Sequence, residues 1–179
     1  MPNGYSIQRL TPSEIRGKAA ELADVLIDCV EGGASVSFMK GLDHARAKRF
    51  WTDIADRAQS DGRAVLAAVR DDDGTVVATV QMIPSGYENQ PHRGDIAKML
   101  VHRSHRRHGL GTALMRGAEA AALAAGRTLL TLDTATDDAE RLYASLGWMR
   151  VGVIPDYALN PDGSLCTTVI FYKRLVPPA

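Results

Sequence analysis

With 179 residues, 45% hydrophobic and 23% charged, the chain is long enough for a single domain over 1–179, which would bury roughly 70% of the surface exposed on unfolding. Its 21 basic and 21 acidic residues balance, which argues against the broad cationic field of nonspecific nucleic-acid or membrane binders. No stretch approaches the roughly 18 to 20 apolar residues needed to cross a bilayer, the N-terminal MPNGYSIQRL lacks a signal-peptide core, and two cysteines without a spacing motif make no disulfide framework, so a cytoplasmic protein is expected.

The first strand is YSIQRL. Thr11, Pro12 and Glu14 then give a capped helix start, and Ile15, Ala19, Leu22, Leu26 and Cys29 form one apolar stripe ending at Gly32 and Gly33. Asp43 caps a second helix marked by Phe50, Ile54 and Ala58 at four-residue spacing. RAVLAAVR and TVVATVQMI, joined by DDDG, predict a hairpin. A loop, PSGYENQPHRG, leads to the strand DIAKMLVH.

Residues 110–126, LGTALMRGAEAAALAAG, predict a helix with Leu110, Leu114 and Ala118 on one face. TLLTLDT follows as a strand, and DAERLYASLGW as a helix presenting Ala139, Leu142, Tyr143 and Leu146 at i, i+3, i+4 and i+7. WMRVGVI is a strand, PDYALNPDGS a turn-rich loop, and LCTTVIFYKRL the last strand. The terminal VPPA is expected to fray.

The strand DIAKMLVH runs into the helix at 110 through HRSHRRHGLG. Three histidines at spacing three could bind a metal only on a helix, and this segment bridges a strand and a helix. Nucleic-acid binding would need a wider basic surface or aromatic platforms. A phosphate uses every feature present: Gly109 and Gly111 let the backbone turn and approach an anion, the first amides of a helix lack partners, and arginines stand beside them. No metal, nucleic acid or membrane is therefore expected as a partner.

The stretch MLVHRSHRRHGLGTALM resembles the acyl-CoA motif of the GNAT superfamily of N-acetyltransferases, Arg/Gln-x-x-Gly-x-Gly/Ala after a strand. AERLYASLGW is similar to that family's Ala-x-x-Leu-Tyr-x-x-x-Gly-aromatic pattern. The resemblance implies an α/β fold with a mixed, mostly antiparallel sheet, helices on both faces and a splayed strand pair at the acyl-CoA site.

It also implies acetyl-CoA as co-substrate and direct attack by an amine in a ternary complex. The amides of Arg107, His108, Gly109, Leu110, Gly111 and Thr112 would hold the pyrophosphate, with Arg106 beside them, while Met99, Leu100 and Val101 would run along the pantetheine arm. Tyr143 would meet the thiol sulfur and protonate the departing thiolate. Thr136 stands where the family often has Asn for a pantetheine contact.

Attack requires a neutral amine and therefore a base. Asp95, at the start of the motif strand, and Asp133, at the end of LDT, are expected as base and amine-binding partner. Ser35, Ser37, Phe38 and Tyr157, on the segments expected to line the acceptor site, are expected to contact substrate. EGGASVSFMKGLD, LDT and the late PDG also resemble the tabtoxin-resistance branch of the family, implying a small, amino-acid-like or antibiotic amine. A protein N-terminal or lysine acetyltransferase, and a CoA-binding sensor without turnover, are the alternatives; a homodimer is compatible with each.

Overall fold

The computed structural model describes residues 2–176. Its elements are β1 (Tyr5–Leu10), α1 (Pro12–Gly17), α2 (Ala19–Glu31), α3 (His44–Ser60), β2 (Ala64–Arg70), β3 (Val76–Pro84), β4 (Arg93–Val101), α4 (Leu110–Ala124), β5 (Leu129–Thr134), α5 (Asp137–Ser145), β6 (Met149–Leu159) and β7 (Leu165–Arg174), with a short 3-10 turn at Arg103–His105 before α4. The expected fraying of VPPA falls mostly on 177–179, which lie outside the described residues.

Seven strands form one sheet in the order β1-β2-β3-β4-β5-β7-β6. Every neighbouring pair is antiparallel except β4 and β5. Side chains alternate across a strand, so β2 feeds two cores at once. Val65, Ala67 and Val69 pack with Leu22, Leu26, Trp51 and Ile54 of α2 and α3. Leu66 and Ala68 pack with Leu110, Leu114 and Ala118 of α4 and Tyr143 of α5.

Two expected elements differ. The first helix is broken at Lys18 (φ −98°, ψ 12°), between α1 and α2. Gly17 has low helix propensity, and the Lys18 ammonium donates to the Gly74 carbonyl at 2.8 Å on the β2–β3 turn. The apolar stripe survives the break, because Ile15, Ala19, Leu22, Leu26 and Cys29 are all buried.

The second difference is β6, which continues through PDYAL to Leu159 where a loop was expected. An irregularity in pairing between Ile154 and Ala158 absorbs Pro155, with Asp156 in the left-handed region at φ 54°. A bulge is where a strand tolerates a residue that cannot donate a ladder hydrogen bond. Tyr157 consequently stands on a strand, 54% exposed, and not in a loop.

Candidate active site

The sheet opens at its centre. β4 and β5 pair only through Arg93–Asp95 and Leu129–Thr131; beyond that, Ile96–Val101 pair with β3 alone, and Leu132–Thr134 with β7 alone. Among the described residues, the facing backbone edges of β4 and β5 therefore have no strand partner from Ile96 and Leu132 onward, which leaves main-chain donors and acceptors available to an extended ligand.

A bulge sits on the β4 side of this opening. Between Thr79 and Gln81 the register jumps from Leu100 to Ala97, and Lys98 lies at φ 50°. The extra residue reverses the alternation. Ile96 and Met99 face the α4-side core, whereas Leu100 joins the α2–α3 core. Met99 and Val101 pack against the α4-side core through their side chains, so only their backbone is offered to the cleft.

At the mouth of the cleft the chain turns into α4. Arg107 (φ 64°) and Gly109 (φ 76°) both adopt left-handed backbone, and Gly109 is the helix N-cap, with no side chain to satisfy the first turn. The amides of Arg107, His108, Gly109, Leu110, Gly111 and Thr112 find no protein acceptor among the described residues. Leu110 is buried, so it contributes only its amide. A Cβ on Gly111 would come within 3.0 Å of Leu142 of α5 and 3.6 Å of the Met99 side chain, which is why this turn of α4 can pack so close to α5. The helix dipole adds partial positive charge at the same place. The Arg106 and Arg107 side chains are exposed beside it, the Arg106 Nε donating to the Val101 carbonyl at 3.3 Å.

The loop is tied down from α2. Asp28 accepts from the Arg103 amide at 2.7 Å and from its Nε at 2.9 Å. Burial raises the Asp28 carboxyl, but the two bonds from Arg103 and the charges of His102 and Arg103 outweigh it and hold the group below its ordinary value. Asp28→Asn is expected to cost about 1–3 kcal/mol in urea unfolding at neutral pH. Because the folded pKa is the lower one, this contribution is full above the unfolded value near pH ~4 and fades as pH falls through the folded value. The difference between the two proteins should shrink in acid; a constant difference would exclude the ionised carboxylate as its source.

Two of the histidines pack around Tyr5, the His105 and His108 ring centroids each 5.9 Å from its own. His105 bonds the Tyr5 hydroxyl at 2.9 Å, His108 Nδ1 lies 3.3 Å from the His105 carbonyl, and no cluster of three His, Cys, Asp or Glu that could hold a metal occurs among the described residues.

Tyr143, on α5, is 5% exposed and packs against Trp148 and Phe171, each with ring centroids 6.0 Å away. Burial first, then the charge of Asp133, pushes its phenol well above the ordinary range, so the proton stays on oxygen at neutral pH. Asp133, on β5, accepts from the Thr168 hydroxyl at 3.5 Å. Asp95 is more engaged: it accepts a short bond from the Thr131 hydroxyl and pairs with Arg93 at 3.4 Å. Since Asp95 is in register with Thr131, the two aspartates share one face, about 7 Å apart along β5 by strand rise. Thr136 is exposed and caps α5, accepting from the Ala139 amide at 3.4 Å.

Opposite stands the α2–α3 loop. Ser35 donates to the Leu159 carbonyl at 2.8 Å, and the Lys40 amide to the Pro161 carbonyl at 2.9 Å, so this loop is fastened to the β6–β7 hairpin. Phe38 stacks edge-to-face on Phe50 at 5.2 Å. Ser37 (φ 76°) accepts from the Lys98 ammonium at 3.1 Å. Lys98 is the site neighbour that periodicity does not expose, its available signal being one cation inside the apolar run IAKMLV; Phe50, read from spacing as part of the apolar face of α3, lies beside it. No described hydrogen bond joins the exposed Tyr157 to this group.

The model of the Acetyltransferase (GNAT) family matches residues 34–148, from the α2–α3 loop to the end of the α5 motif. The chain belongs to the GNAT acetyltransferase family. Solved GNAT-fold neighbours agree in architecture across nearly the whole chain. A candidate acetyltransferase from Acinetobacter baylyi ADP1 superposes with a TM-score of 0.82 at 14% identity, covering 97% of this chain and 94% of that one. A GNAT acetyltransferase from Streptococcus pneumoniae gives 0.75 at 22% identity, covering 96% and 99%. A phosphinothricin acetyltransferase from Sinorhizobium meliloti, solved in complex with acetyl-CoA, gives 0.77 at 14% identity, covering 96% and 89%. The GNAT fold expected from the motifs is thus the fold found, with its mostly antiparallel sheet and helices on both faces. No helix of the described residues is long and apolar enough to cross a membrane.

Proposed function

We propose that this GNAT protein transfers the acetyl group of acetyl-CoA to the amine of a small, amino-acid-like acceptor by direct attack in a ternary complex. The observation that carries the reading is the row of unpartnered amides from Arg107 to Thr112 at the mouth of a cleft in which Tyr143 feels the charge of Asp133. The amide row receives the pyrophosphate, and the free edges of β4 and β5 flank the pantetheine arm along Met99, Leu100 and Val101.

The chemistry then follows from position. Asp133 takes the proton that the ammonium must lose, directly or through water, with Asp95 and Thr131 supporting the same face. The nitrogen attacks the thioester carbon, the C–S bond breaks, the Tyr143 hydroxyl supplies the proton that the leaving thiolate needs, and the second proton that the nitrogen sheds on becoming an amide restores the Tyr143 phenol through solvent.

A small acceptor is consistent with the fastening of the α2–α3 loop to the β6–β7 hairpin through Ser35 and Lys40, which holds the loop in place beside the cleft. The likeness to the tabtoxin-resistance branch, and a neighbour that carries acetyl-CoA and is named for phosphinothricin, point to an amino-acid-like antibiotic or toxin as one such acceptor. Initial rates over a grid of acetyl-CoA and amine concentrations test the order of events: intersecting double-reciprocal lines are expected, and parallel lines, the mark of an acetylated-enzyme intermediate, would contradict direct attack.

A further inference from the structure

Lys98 has no part in the steps above, yet its placement is unusual in three respects. Its backbone is held at φ 50° in the β4 bulge, a conformation uncommon for a residue other than glycine. Its side chain is turned into the acceptor side of the cleft, 3.1 Å from the Ser37 hydroxyl and 5.8 Å from the Phe50 ring centroid. An ammonium has three donors, and Ser37 takes the one hydrogen bond found for it among the described residues.

The charge of Asp133 reaches the Lys98 ammonium, but the two form no ion pair within 4.0 Å among the described residues. A cation and an anion that face the same cleft without touching match a ligand carrying the opposite pair of charges. An amino acid is such a ligand, its ammonium and carboxylate separated by one carbon. With the ammonium at Asp133, next to Tyr143, the carboxylate lies on the Lys98 side.

We infer that Lys98, with Ser37 and the Phe50 ring, forms a carboxylate-binding subsite, and that the acceptor is an α-amino acid or a close analogue bearing a free carboxylate beside its reactive amine. The inference rests on the proposed function for the amine at Asp133 but concerns the other end of the acceptor. A partly buried ammonium gains from such a partner because charge-assisted bonds to a carboxylate replace lost hydration. Ser37 orients the ammonium, and Phe50 covers one side of it.

The test uses the full chain, a panel of the twenty L-amino acids, and the corresponding L-amino-acid amides, which keep the amine and lose the negative charge. For the preferred side chain, kcat/KM for the acid is expected to exceed that for the amide by roughly tenfold to a hundredfold, mostly in KM. Lys98→Met keeps the stem and the backbone demand at φ 50°, and it should reduce this ratio to near one; Lys98→Arg should restore part of it.

Equilibrium binding of the same acids and amides to the CoA-loaded protein separates the two readings. Acids that bind over amides through Lys98, without turnover of any amine, would keep the subsite and overturn the proposed reaction. Turnover with no acid preference in the unsubstituted protein would keep the reaction and overturn the subsite. A preference that persists undiminished in Lys98→Met overturns it as well.

Discussion

Replacing Gly109 by Asp should weaken acetyl-CoA binding by about a hundredfold or more, whereas Gly109→Asn should cost no more than about tenfold. Both side chains tolerate left-handed backbone better than other residues do, and open space surrounds a Cβ at this position, so α4 should form in each variant. What separates them is charge. Aspartate sets a carboxylate at the N-terminus of α4, where the amides from Arg107 to Thr112 and the helix dipole are aimed at an anion. Two like charges about 4 Å apart at a protein surface repel by about 4 kcal/mol at an effective dielectric constant of 20, enough for a hundredfold loss after screening. Calorimetric titration with acetyl-CoA, with circular dichroism to establish folding, measures it. Equal affinities for the Asp and Asn variants would mean that the pyrophosphate binds elsewhere.

Tyr143→Phe is the second large effect. The change removes one oxygen and keeps the ring that packs on Trp148 and Phe171, so the fold and acetyl-CoA affinity should change little. If the hydroxyl protonates the thiolate, kcat should fall by about 10² to 10³. The pH profile gives a separate check. A phenol raised by burial and by Asp133 stays protonated throughout the range below its ordinary value near pH ~10. The rate should therefore rise with pH as the acceptor amine loses its proton, without a tyrosine-dependent decline below about pH 10. A kcat unchanged by Tyr143→Phe would remove Tyr143 from the chemistry and leave it as a packing residue.

Much of this was legible in the residues because local rules and tertiary demands coincide. The Arg107 to Gly111 turn announces itself through glycines placed before an apolar helix, and Gly109 adopts the left-handed conformation that such a turn requires. Tyr143 lies on the predicted helix face, and burial on α5 follows directly. The hairpin of β2 and β3 was set by its acidic turn ending in Gly74, at φ 74°.

Other features depend on contacts that no window of sequence contains. The break at Lys18 answers to a carbonyl 56 residues away. The extent of β6 depends on β7 accepting a bulge around Asp156. In β4, strict alternation would place Ile96 and Leu100 on one face, and the bulge at Lys98 sends them to opposite cores. That one inserted residue also carries Lys98 to Ser37 and Phe50, so the same feature hid the cation from the period-two pattern and put it in the site. Asp95 was expected as base or amine binder with Asp133 as its partner; the bonds of Asp95 to Thr131 and Arg93 are the reason the proposal gives it the supporting place.

Backbone strain follows the same map. Among the described residues, four other than glycine have positive φ, namely Ser37, Lys98, Arg107 and Asp156. The first three line the cleft or its mouth. Such conformations persist where surrounding structure fixes them, and they concentrate at functional sites.

The measurement that bears most directly on the account is thiol release from acetyl-CoA, followed with amino acids, other small amines and lysine-bearing peptides, with acetylated product identified by mass. Thiol release that requires a small amine and yields its N-acetyl derivative, with peptides inert, is the predicted result. Acetyl-CoA binding without thiol release from any acceptor, or release only with peptides, would contradict it.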